Sequence, residues 1–102
     1  MSIQNTLLTT TAANIYVSSG TSAITAVYLC NTDTLVHNFT VYAVPTAEVP
    51  SNTNCIYHNI QLAAGDTYVM DTEKLILGNG DTIRALADAS SVISATVSSL
   101  GI

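Results

Sequence analysis

At 102 residues the chain is the size of one domain, and its composition is lopsided: 48% hydrophobic and only 9% charged, against a charged share of about 25% in ordinary soluble domains. Seven acidic residues face two basic ones, Lys74 and Arg84, for a net charge of −5. Two cations neutralise few phosphates and give no hold on an anionic bilayer, so neither nucleic acid nor membrane is expected as a partner. Disorder is excluded, because so apolar a chain with so little charge can bury a core.

A soluble surface normally carries roughly 25–35% charged residues, and the shortfall here predicts that part of the surface faces another subunit. No run approaches the roughly 18 apolar residues of a membrane helix. The opening MSIQNT has neither the basic start nor the apolar core of a secretory signal. A reducing compartment follows as the expectation, with Cys30 and Cys55 as buried free thiols.

Residues 1–11 are expected to be an N-terminal arm or first edge strand, ahead of a single β-sandwich domain over residues 12–102. Period-two alternation rich in Val, Ile, Tyr and Thr runs nearly throughout, the mark of strands. Residues 7–9 make a short first run and residues 14–18 a second, ended by Ser19-Gly20. The strongest strand is 22–31, SAITAVYLCN, in which Ile24, Ala26, Tyr28 and Cys30 alternate with Thr25, Val27, Leu29 and Asn31, so both faces carry apolar groups. After Thr32-Asp33-Thr34 comes 36–44, with Phe39, Val41 and Ala43 on one face, expected to pair antiparallel with 22–31. Residues 45–54 hold Pro45 and Pro50 and form the longest loop, since proline cannot donate to a ladder.

Residues 55–62 alternate again, the turn 63–66 follows, and 67–71 is a short strand. A single helical turn fits near Asp71-Thr72-Glu73. Residues 74–77 and 82–87 flank Gly78-Asn79-Gly80-Asp81, where Asn-Gly predicts a hairpin with a type I′ turn. The last strand, 91–98, sets Ile93, Ala95 and Val97 on one face. About eight strands with turn signals roughly every 8–12 residues predict an all-β antiparallel sandwich.

Catalytic patterns are missing from the sequence. It has no G-x-S-x-G elbow, and His37 and His58, each beside an Asn in a strand pattern, read as surface or interface histidines. No enzyme and no cofactor are expected. Asp66, Asp71, Glu73, Asp81 and Asp88 gather in the second half but lack the spacing of a calcium loop, and turn chemistry accounts for residues 79–81. The two Cys and two His lack zinc-ligand spacing. Glu73, Lys74 and Arg84 are expected to form the chain's few ion pairs, in a structural role. Tyr16, Tyr28, Tyr42, Tyr57 and Tyr68 fall one to a strand. They read as strand formers with half-buried rings, in a vocabulary that also suits contact surfaces and carbohydrate platforms.

The stretches AITAVYLCNT (23–32), NFTVYAVP (38–45), AGDTYV (64–69), EKLILGNGD (73–81) and ATVSSLGI (95–102) resemble small virion structural proteins of tailed bacteriophages. The likeness runs from about residue 13 onward. It implies a jelly-roll-like or immunoglobulin-like sandwich, no catalytic residues, and a place in a virion assembled in the host cytoplasm. The role implied is a capsid cement or decoration protein, a homo-oligomer with a trimer preferred, seated on the major capsid protein. The alternative is a tail, baseplate or fibre-associated structural or receptor-binding component that contacts tail proteins of the same phage.

Overall fold

A computed structural model of the chain describes residues 2–70 and 75–101. Among these the regular elements are nine strands: β1 (Ser2–Leu7), β2 (Ala13–Val17), β3 (Ser22–Asn31), β4 (His37–Val44), β5 (Cys55–Leu62), β6 (Thr67–Met70), β7 (Leu75–Leu77), β8 (Thr82–Ala87) and β9 (Ile93–Gly101). They form two antiparallel sheets, one ordered β1-β9-β3-β6 with β7 also on β3, the other ordered β2-β8-β4-β5. The protein is an all-β sandwich.

The pairing is nested. β1 pairs β9, β2 pairs β8, β6 and β7 share one side of β3, and β4 pairs β5. The chain thus runs out and back as one long antiparallel hairpin, rolled so that β9 meets β3 and β8 meets β4. That connectivity is a jelly roll and not the immunoglobulin order.

Two expected pairings are corrected. β3 and β4 do not form a hairpin but lie in opposite sheets. Buried Asn31 holds the crossover, its Nδ2 donating to Leu35 O at 2.8 Å and to Leu62 O at 3.0 Å. Nor does the Asn-Gly turn close a hairpin, because β7 belongs to one sheet and β8 to the other. Its positive φ is at Gly80 alone (86°), and Asp81 N donates to Gly78 O at 3.1 Å. This places Gly in the third turn position, as in a type II turn, where type I′ needs positive φ at both central residues.

Strand ends differ where side chains turn. β1 covers residues 2–7 and not 7–9, because Leu8 swings into the core at 1% exposure. β9 starts at Ile93, after Ser91 at φ 62°, and runs on to Gly101. The turn expected near Asp71-Thr72-Glu73 lies outside the described residues.

The core sits between the sheets, built from Ile24, Val27 and Leu29 of β3, Phe39 and Val41 of β4, Ile83 and Ala85 of β8, and Ile93, Ala95 and Val97 of β9. A bulge between Ile24 and Ala26 shifts the β3–β9 register by one residue. It also flips the alternation: Ser22 and Ile24 point inward before it, Val27, Leu29 and Asn31 after it. Both faces of SAITAVYLCN carry apolar groups, but the bulge changes which residues share a face: Ile24, Val27 and Leu29 point inward, and Tyr28 and Cys30 outward.

Candidate functional site

The loops collect at two ends of the roll. At one end, backbone bonds tie residues 8–12, 31–36, 63–66 and 88–92 together, including Thr32 N to Val92 O (2.8 Å), Gly65 N to Asn31 O (3.1 Å) and Ser91 N to Leu8 O (2.9 Å). His37, the first residue of β4, stands among them with its side chain 11% exposed. Its Nε2 is 2.7 Å from Asp33 Oδ2 and its Nδ1 is 2.7 Å from Asp88 Oδ1. The second Asp88 oxygen accepts from Asn38 N at 3.2 Å.

A carboxylate at each nitrogen favours the doubly protonated ring. The hydrogen bond to Asp33 first, and that to Asp88 after it, raise the His37 pKa against the opposing pull of desolvation. Asp33 is lowered in return, chiefly by His37 and then by the Thr34 amide. The clamp joins the β3–β4 and β8–β9 loops, so of the surface or interface position expected for His37 the surface one does not hold: the side chain is largely buried within the fold. The sequence does contain Asp33 four residues before His37. Asp88, fifty-one residues away, arrives only through the fold.

At the opposite end Asp81 fixes two loops. Its Oδ2 accepts from Gly78 N at 2.8 Å, and its Oδ1 accepts from Thr46 N and Thr46 Oγ1 at 2.9 Å each. The Gly78 amide first, then Thr46, hold its pKa below the usual carboxylate range. Asp66 lies in the turn beside Asn31 and Asp88 at the clamp, so the described acidic residues of the second half do not gather at one place. Among the described residues no three His, Cys, Asp or Glu side chains are grouped to hold a metal ion. Asp71, Glu73 and Lys74 lie outside the described residues. Arg84 Nε donates to Thr82 Oγ1 at 3.2 Å.

Both cysteines are free, and both are half-buried where burial was expected. Cys30 faces outward because the bulge reverses the phase of β3. Cys55 lines a polar hollow with Asn52 and His58. An apolar recess of about 230 Å³ between β5 and β6 is lined by Ile56, Tyr57, Met70 and Leu75.

The tyrosines form no common platform. Tyr16 is buried and donates to Ser22 Oγ at 3.0 Å. Tyr57 and Tyr68 pack edge to face at 5.4 Å between centroids, with Phe39 next to Tyr68 at 5.5 Å, and of the five tyrosines only Tyr28 is exposed.

The broadest surface feature is the outer face of the β1-β9-β3-β6 sheet. Cross-strand partners share a face, so the registers define its rows. Asn5, Thr96, Tyr28 and Val69 form one, Leu7, Ser94, Cys30 and Thr67 a second, and Leu100, Ala23 and Ile76 a third. Among the described residues this face carries no Asp, Glu, Lys or Arg. Asp33, Glu48, Asp66, Asp81 and Asp88 are all in loops, and Arg84 is on β8 of the other sheet. Ile3 (70% exposed) and Ile76 (63%) stand well into solvent on it. Comparison with protein-family models, curated proteins and solved structures finds no match to this chain.

Proposed function

We propose that the protein is a structural component of a tailed-bacteriophage particle, a capsid cement or decoration protein that oligomerises and stabilises the assembled shell. The observation that carries this reading is the uncharged, partly apolar outer face of the β1-β9-β3-β6 sheet. Exposed apolar side chains on a broad sheet face are a mark of interaction sites, and a face without ionised groups among the described residues suits a permanent neighbour better than a diffusing substrate. The jelly roll agrees with the role, although one fold serves many functions.

The mechanism is mechanical. Binding that is available on the assembled shell and not on its dissociated parts stabilises the shell by mass action. Each contact adds about 25 cal/mol per Å² of apolar surface covered, multiplied over many copies. Strand β1 is the natural reaching element. It holds to the sheet by its ladder with β9, while Ile3, Gln4 and Asn5 are all exposed.

Co-sedimentation of the purified protein with assembled phage shells tests this reading, with copies per particle counted. Saturation at many copies, with a raised shell melting temperature, is expected. A few copies per particle would place the protein at the tail or baseplate, and no binding to any part of the particle would overturn the reading. A chain starting at Ala12 that still saturates shells would remove β1 from the contact.

A further inference from the structure

We propose that the outer face of the β1-β9-β3-β6 sheet is where copies of this chain bind one another. The inference rests on the reading of the protein as a self-associating particle component and names the surface that does it.

Electrostatics selects the face. Each copy carries a net charge of −5, so two copies repel one another, and least where the surfaces that meet carry no charge of their own. Among the described residues, the loop ends hold the carboxylates and the β2-β8-β4-β5 sheet holds Arg84. Among the described residues, only the β1-β9-β3-β6 face combines breadth with the lack of an ionised group.

Desolvation points the same way. Covering a polar surface costs free energy where hydroxyls lose water without replacing it. Here Thr96 Oγ1 already donates to Asn5 Oδ1 at 2.9 Å, and Thr25 Oγ1, on the β3 bulge, is 2.8 Å from Ser98 Oγ and 3.0 Å from Ser98 O. These groups keep their partners when a second copy covers them. Exposed Ile3, Leu7, Tyr28, Val69, Ile76 and Leu100 supply the apolar contact.

Area is the third argument. Strands of six residues (β1), nine (β9), ten (β3) and four and three (β6 and β7 end to end), at about 3.3 Å per residue and about 4.8 Å apart, give a footprint of roughly 500 Å². That is most of the roughly 800 Å² each partner contributes to a standard interface.

The test is native mass by light scattering, with wild type compared to Tyr28→Glu and Ile76→Glu on the face and to Gln61→Glu on β5 of the other sheet. Circular dichroism and thermal melts check that each variant keeps the sandwich. Wild type and Gln61→Glu are expected at a multiple of the 10.7 kDa chain mass. Both face variants should weaken self-association at least tenfold or give monomers. A wild-type mass of twice the monomer would mean two faces packed together, and three times would mean the face closed against a neighbour around a ring. A monomeric wild type, or an oligomer that folded face variants leave unchanged, overturns the inference. Shell co-sedimentation separates the two proposals. A monomer that still binds shells leaves the functional reading standing, and an oligomer formed through this face that binds no part of the particle leaves only the interface.

Discussion

His37 shows how one side chain makes a loop end depend on pH. As an imidazolium it donates to Asp33 and Asp88 at once, and as a neutral ring it turns a lone pair toward one of them. Its pKa in the fold lies above the ordinary 6.5, so its contribution to stability is complete below that value and lost as pH rises through the raised pKa. Asp33 is lowered from 3.8, so its contribution is present above that value and lost as pH falls through the depressed one. The clamp is therefore strongest in mildly acidic solution. The melting temperature of the wild type should fall as pH rises past 6.5 and through the raised His37 value, and His37→Gln should flatten that slope. At the other end Gly80 has φ 86°, and a Cβ there would stand 2.8 Å from Thr46 Oγ1. Gly80→Ala adds left-handed strain to a clash with the hydroxyl that bonds Asn79 O. Urea unfolding should show a loss of about 1–3 kcal/mol. The special role of Gly80 was legible as a turn glycine, but the closeness of Thr46 was not, because it depends on the β4–β5 loop, distant in sequence.

Among the elements, the bulges decide which side chains reach the core. Besides the one on β3, β2 takes an extra residue at Ile15, which leaves Ile15 and Tyr16 both buried. β5 takes extra residues against β4, with Asn59 at φ 53° and its amide donating to Thr40 Oγ1 at 3.0 Å. Each bulge breaks period two, so strand positions were readable from the sequence while the inward face of β3 was not. Phe39 joins the sheets: fully buried on β4, it meets Tyr68 of β6 across the core. Phe39→Ala should cost about 3–5 kcal/mol in a denaturant titration, the range for an aromatic cavity that cannot collapse. The long loop 45–54 was also readable, both prolines lying outside the strands. Its order comes from its own bonds, such as Asn54 Nδ2 to Val49 O at 2.9 Å and Ser51 N to Asn54 Oδ1 at 3.0 Å.

At the scale of the whole molecule, charge and shape act together. Like-charged copies that meet through an uncharged face repel at long range and attract on contact, so added salt should favour association. Light scattering from about 10 mM to about 150 mM salt should show self-association strengthening as the screening length shortens from roughly 30 to 8 Å. The sequence by itself determined that this chain is an all-β domain, where most strands begin and end, and that its surface is short of charge. Those properties depend on composition and on neighbours one or two residues apart. Only the tertiary structure decided that β3 and β4 part into different sheets, that the Asn-Gly turn bridges them, and that Asp88 reaches His37. Alternation tells a strand which side is inward but not which strand lies beside it. Partner choice is set by how all nine strands share one core, and the position of the uncharged face follows from that choice.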